Sequence, residues 1–329
     1  MPYIENWDWE SGEKKIKVDE WNQRFNWVEE PYTSPDGEKI AAIVNIGEGE
    51  FNVCVNGDLW STPFDKIWYL RFSPDGRLTA LVSETGEWTV AVDGNPWDNK
   101  FGYVWNTMFS LDGKDIAVAI QTDMTYSMAI NGEPWKNTFL NMTNPTLSLQ
   151  GGKTAAVVQI TEFSAADIHK FQSAAYTGVI DGKPWDESFV NLWKMAISPD
   201  GENLAAEVRL NLYDYTIAVN GKPWEKTFNC VWEPIFCPQT NKVIAPVRTM
   251  GKWTLAANGD ILWDKNFVQL WHQMFSPDGK KLAAIVAPGF GKWTMAVDGA
   301  PWMSTFNEFL TAPVFSPDLQ QRQVFGNLG

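Results

Sequence analysis

Val92-Asp93-Gly94-Asn95-Pro96-Trp97-Asp98-Asn99-Lys100-Phe101 is the stretch from which the fold is read. Asp-Gly after an apolar run marks a tight hairpin, because such a turn needs positive φ. The Trp-x-x-x-Phe pair that follows recurs along the chain: Trp21/Phe25, Trp60/Phe64, Trp97/Phe101, Trp135/Phe139, Trp185/Phe189, Trp224/Phe228, Trp263/Phe267 and Trp302/Phe306. The steps between tryptophans are 39, 37, 38, 50, 39, 39 and 39 residues. A period near forty marks one supersecondary unit copied in tandem, so the repeat is read before any single residue.

The second repeat shows the internal order. A run ending Leu70-Arg71-Phe72 meets the turn Ser73-Pro74-Asp75-Gly76, the run Leu78 to Val82 follows, then Glu87-Trp88-Thr89-Val90-Ala91-Val92 and the turn Asp93-Gly94. Four short segments rich in β-branched and aromatic residues, parted by such turns, predict four antiparallel strands. Asn-Gly or Asp-Gly recurs at Asn56, Asn131, Asp181, Asn220, Asn258 and Asp298. The fold class is therefore all-β, a β-propeller of four-stranded blades.

The ends bear on the blade count. The chain opens with the second half of a repeat, Lys15-Ile16-Lys17-Val18 before Trp21 and Phe25, and ends with a first half, Ala312 to Phe315 plus Ser316-Pro317-Asp318. Together they predict an eighth blade shared between the termini, which would remove an exposed edge. Leu319-Gln320-Gln321-Arg322-Gln323-Val324-Phe325 replaces the expected Gly and apolar strand, so seven blades remain the alternative. Residues 1–329 read as a single domain, with an insertion at about 161–176 where the step lengthens to 50.

With 26 Lys+Arg against 40 Asp+Glu, the net charge of -14 gives no basis for phosphate-backbone binding, and nucleic acid is not an expected partner. The first residues lack the basic and apolar regions of a signal peptide, and no run approaches a membrane span, so a cytoplasmic chain without a direct span is expected. Cys54, Cys230 and Cys237 show no Cys-x-x-Cys or haem spacing and read as small buried residues. No cofactor and no metal site is indicated.

The recurring Trp and Phe suit packing between blades, where each buried aromatic covers on the order of 150–250 Å². A second set is more selective: Trp68, Trp105, Trp193, Trp232 and Trp271 stand four residues after the repeat Phe, but Glu29, Thr143 and Leu310 interrupt the series. They fall where the first strand of a blade begins, near one mouth of the expected channel. Channel-wall packing and an aromatic surface gripping a partner or planar ligand both fit. His272 beside Trp271 is either a titratable group at that mouth or an ordinary polar wall residue. Asp36, Asp75, Asp200 and Asp278 repeat in Ser-Pro-Asp-Gly and read as turn organisers rather than acids for catalysis. His-based metal motifs, phosphate loops and nucleophile elbows are missing, so no catalytic residue is assigned and the chain reads as a non-enzyme.

In the insertion, Ser164 with Asp167 fits a capping box and Phe163 with Ile168 a hydrophobic staple, predicting a short projecting helix. Ile168 and Phe171 would share its apolar side, giving Phe163, Ile168 and Phe171 as docking candidates, with plain surface decoration as the alternative.

The Ser-Pro-Asp-Gly turn and following small-apolar strand, as in Ser276 to Ala284, resemble the repeats of WD40-like and TolB-like propellers over nearly the whole chain. The unit Val-Asp-Gly-x-Pro-Trp-x-x-x-Phe, at Val92 to Phe101 and Val297 to Phe306, resembles the tryptophan-rich cytoplasmic subunit family (TmcD) of the transmembrane redox complex of sulfate-reducing bacteria. That resemblance implies a cofactor-free subunit, monomeric when isolated. It would be held at the membrane by protein partners that carry haem and iron–sulfur clusters. The expected function is a non-catalytic accessory or scaffold subunit of an electron-transfer complex. A small-ligand or carbohydrate-binding propeller using the channel-mouth aromatics is the alternative.

Overall fold

In the second repeat the four expected runs are four strands, Lys66–Phe72, Leu78–Glu84, Glu87–Val92 and Asn95–Pro96, paired antiparallel in chain order. This computed structural model describes residues 15–162, 167, 169, 172, 174–308, 310–316 and 322–323. Among them are seven such sheets, so the protein is a β-propeller with seven four-stranded blades, counting as one the broken first strands of blades one (Trp27–Val28, Tyr32–Thr33) and six (Cys230–Val231, Ile235–Phe236). Two compact units divide the chain, 1–141 with 147–154 and 142–146 with 155–329. The first holds blades one to three; the second holds blades five to seven and most of the fourth.

The second strand of each blade is predominantly apolar, as in Ile40–Gly47, Leu78–Glu84 and Leu282–Gly289, and is mostly buried because both faces are covered. The fourth strand is only two residues long and carries Pro96, Pro134, Pro184, Pro223 or Pro301 in five blades. A short strand with proline is a poor template for further pairing, which blunts the outer edge.

The hairpin before it explains the Asp/Asn-Gly recurrence. Asp93 and Gly94 have φ of 48° and 83°, as the turn requires. The Asp93 carboxylate also accepts the Leu78 N–H at 3.0 Å, and Asn56, Asn131 and Asn220 accept the equivalent Ile40, Ile116 and Leu204 N–H groups at 2.9 Å each. The turn side chain thus pins the start of the second strand. In Ser-Pro-Asp-Gly, the Ser hydroxyl donates to the Asp carboxylate (Ser34 to Asp36, 2.5 Å; Ser276 to Asp278, 2.6 Å), and the same oxygen accepts the backbone N–H two residues on. Those bonds, the Ser hydroxyl first, hold Asp36, Asp200 and Asp278 below the usual carboxylate range and Asp112 at about 2.

Tryptophan and phenylalanine of the repeated pair have separate roles. The Trp of one blade lies under the hairpin glycine of the next: a Cβ on Gly94 would stand 2.9 Å from Trp60 Cγ, and one on Gly299 3.2 Å from Trp263 Cγ. Trp97 under Gly132, Trp185 under Gly221 and Trp224 under Gly259 repeat the contact. Phe bonds within its own sheet, its backbone exchanging N–H···O bonds with the first aromatic residue of the third strand, at 2.7 and 2.8 Å for Trp88/Phe101.

The shared eighth blade is not formed among the described residues. Where its outer strand was expected, Val18–Glu20 and Trp21–Arg24 are helical, and Asp19 and Glu20 in the first turn suit a helix N-terminus. Trp21 and Phe25 are nonetheless buried against Ala42, Val44 and Cys54 of the first blade, so the pair keeps its packing role without a strand. At the other end Val314–Phe315 pairs with Arg322–Gln323 as a two-stranded sheet. Seven, the alternative count, is the number of complete blades among the described residues.

Gly94→Ala and Gly76→Ala both force a Cβ onto positive φ, 83° and 82°, but only the first meets an indole. Left-handed strain of roughly 1–2 kcal/mol is common to both. Gly94→Ala is expected to cost a further ~1–3 kcal/mol in urea unfolding through overpacking against Trp60. Equal losses in the two variants would show that the indole gives way freely and does not fix the blade spacing.

Candidate functional site

Four of the five selected tryptophans sit on the first strands of their blades and Trp232 in the break of its blade's first strand, and each faces the aromatic residue near the start of its blade's third strand. In the first unit the rings are continuous. Trp68 packs on Trp88 at 5.1 Å between centroids, and both meet Tyr103 edge-on at 6.5 and 5.6 Å. Tyr103 stacks on Trp105 at 6.0 Å, which meets Tyr126 at 6.0 Å. Trp88 is buried beneath the run, while Trp68 is 52% and Tyr103 37% exposed. Tyr69, also exposed, lies under the Arg71 guanidinium at 4.4 Å.

In the second unit each tryptophan belongs to a separate pair. Trp193 stacks on Tyr215 at 6.0 Å, Trp232 on Trp253 at 4.0 Å and Trp271 on Trp293 at 4.4 Å. All three are half-buried, so the channel-wall and open-surface readings each describe part of the set: packed pairs in the second unit, an open face in the first. His272 is exposed and takes a left-handed backbone (φ 53°), as Tyr69 and Asn106 do after Trp68 and Trp105. A bulge after the tryptophan shifts the strand register there, as between Trp271 and Met274. Phe163, Ile168 and Phe171 lie outside the described residues; the backbone at His169 and Gln172 is helical.

Sequence reasoning missed two features. The first is the extent of the third-strand aromatic column: Trp88, Trp253 and Trp293 are legible as Gly-x-Trp-Thr, but Phe51, Tyr126, Tyr176 and Tyr215 complete it, with a spacing of thirteen or fourteen residues before the repeat Phe as the signal. The second is Glu207. At its position on the second strand the other blades carry Ile43, Leu81, Ala119, Val157, Pro246 and Ile285, so the signal was one acid in an apolar column. In blade five the bulge places Trp193 and Lys194 opposite this one residue, and the Lys194 N–H donates to its carboxylate. Burial, opposed by that bond and reinforced by the Glu233 charge, raises Glu207 to about 7.

An acid near neutrality is suited to proton transfer, but its surroundings do not supply a nucleophile. The Cys230 thiol is pushed up by burial and then by the Glu207 charge, the opposite of an activated thiolate. Among the described residues no group of three or more His, Cys, Asp or Glu could hold a metal ion. The arrangement offers an aromatic surface and one acid held near neutrality by burial.

No protein-family model and no curated protein matches the chain. Among solved structures it is similar to the Dos1 propeller (12% identity, TM-score 0.45, covering 89% of this chain and 87% of that one) and to the β-propeller domain of the Trilobed protease from Pyrococcus furiosus (15%, 0.36, 84% and 96%). A eukaryotic initiation factor is similar at 14% identity and TM-score 0.35, over 85% and 88% of the two chains. These likenesses concern the fold alone.

Glu207 has a measurable consequence. Its folded value, about 7, lies above the ordinary 4.5, so the folded chain holds the proton more tightly. Stability contributed by the protonated form is then full below about pH 4.5 and lost as pH rises through about 7, a difference of roughly 3 kcal/mol at most. Glu207→Gln is expected to match the unmodified chain in urea midpoint at pH 4.5 and to exceed it at pH 8. A variant with the same pH dependence as the unmodified chain would place this carboxyl in water.

Proposed function

We propose that this chain is a non-catalytic scaffold that binds partner proteins through the aromatic face of its second and third blades. The observation that carries this reading is Trp68, half exposed at the end of a five-ring run while the repeated Trp-x-x-x-Phe pairs serve packing. Interfaces draw most of their energy from a few aromatic anchors, and Trp and Tyr are enriched among them. A net charge of -14 favours a partner with a basic docking surface, since complementary potentials speed and orient encounter.

The finer reading is an accessory subunit of a membrane-associated electron-transfer complex, a single cytoplasmic domain held at the membrane by its partners. It is supported by the likeness of the repeat unit at Val92 to Phe101 and Val297 to Phe306 to the redox-complex subunit. It is also compatible with the finding that no helix among the described residues is long and apolar enough to cross a membrane. Trp68 favours one other occupant, a carbohydrate stacked on its open face.

Affinity capture from the native host in mild detergent separates these readings. The unmodified chain is expected to recover haem- or iron–sulfur-bearing subunits in stoichiometric amount, and Trp68→Ala with Tyr103→Ser to lose them at least tenfold without a change in thermal midpoint. Recovery of the chain alone would count against the scaffold. A shift of tryptophan emission on oligosaccharide titration, absent in the double variant, would transfer the same face to sugar binding.

A further inference from the structure

A cleft of about 370 Å³ lies between the sixth and seventh blades, lined by none of the residues of the aromatic face. Its walls are apolar, with Ile244, Leu262, Trp263 and Phe275, and Lys242, Lys280 and Lys281 stand at it against one carboxylate, Asp298. All three lysines are exposed. Lys281 is paired with Asp298 at 2.7 Å. Lys280 is paired more loosely with Asp278, at 3.7 Å, which leaves Lys242 as the cation in excess. Lys242 influences Asp260, but that carboxylate is taken by Lys226 at 2.5 Å. The cleft thus carries excess positive charge in a chain of net charge -14.

The equivalent cleft between blades two and three, about 430 Å³, provides an internal contrast. There two cations, Arg77 and Lys114, meet two carboxylates, Asp98 and Glu133. The Arg77 guanidinium is also spent within the protein, on Asp75 at 2.9 Å, on the Gly113 carbonyl and on the Lys114 carbonyl at 2.8 Å. The residue before the second strand is basic in five blades, Lys39, Arg77, Lys153, Lys242 and Lys281, and Lys39 and Arg77 are spent on turn carbonyls of the next blade, those of Gly76 and Gly113. No equivalent bond holds the Lys242 ammonium among the described residues, so blade contacts do not consume its charge.

We propose that the cleft between blades six and seven binds a small organic anion, its apolar body against Leu262 and Phe275 and its phosphate or carboxylate among Lys242, Lys280 and Lys281. The volume lies at the small end of the roughly 300–1,000 Å³ typical of ligand clefts, and a mostly apolar lining with a few convergent charged groups is their usual character. A singly or doubly charged head with one ring fits this size.

Phenyl phosphate, benzoate and inorganic phosphate serve as probes in calorimetric titration of the full chain at low salt. At least one aromatic anion is expected to saturate, at least tenfold tighter than inorganic phosphate, and which of the two is tighter distinguishes a phosphate from a carboxylate head. Lys242→Glu should weaken it at least tenfold, whereas Lys114→Glu in the contrasting cleft should leave it unchanged; both side chains are exposed, so neither fold is at risk. Lysine acetylation read by mass spectrometry should show Lys242 and Lys280 protected by the probe and Lys114 not. No saturation, equal affinity for inorganic phosphate, or equal loss in both variants would overturn the assignment.

Discussion

The contact of an indole with a hairpin glycine is the constraint on which the rest of each unit depends. Trp60 occupies the space that a side chain at position 94 would fill, and Trp185 at Gly221, Trp263 at Gly299 and Trp97 at Gly132 crowd the equivalent space less tightly. The hairpin must turn with positive φ and must also present bare backbone to the neighbouring ring, and glycine satisfies both demands. Once that contact is set, the spacing from Trp to Phe carries the chain to the edge of the third strand, where Phe pairs with the aromatic residue. One decapeptide thereby specifies a turn, a joint between blades and a strand closure, which is why its recurrence is so regular.

This economy made the fold legible. Strand number, order and antiparallel pairing were readable because each turn residue has a backbone or side-chain requirement that few others meet, as the Asp93 bond to Leu78 N–H illustrates. The blade count was less so. The Trp21/Phe25 pair marks packing, and packing persists on a helical turn as well as on a strand. A motif that reports side-chain burial does not report the hydrogen bonding of the segment before it, and the predicted eighth blade rested on that inference.

The candidate sites were legible only in part, for a related reason. Tryptophans at equivalent positions look alike in sequence, yet Trp68 is open and Trp232 is stacked at 4.0 Å on Trp253. What distinguishes them is the neighbour: Tyr103 of the following blade extends the ring run at Trp68. At the residue two after the repeat Phe, the other blades show Trp27, Lys66, Asn141, Asn191, Cys230 and Gln269. That neighbour belongs to another repeat, so aligning single repeats does not reveal it.

Positions that every blade shares are accounted for by the mechanics of the blade, and they leave little freedom for individual chemistry. Distinct chemistry is then to be sought where one blade departs from the others at a cost or without structural need. Glu207 departs at a cost, since an acid in an apolar column must either bind a proton or be desolvated with its charge. Tyr103 departs by adding a ring where the column is otherwise mostly polar. Tyr103 leaves its side chain facing solvent, where a partner meets it, and Glu207 faces a strand bulge. A repeat scaffold of this kind separates the residues that make it stable from those that give it an occupation, and the second class is small enough to be tested one side chain at a time.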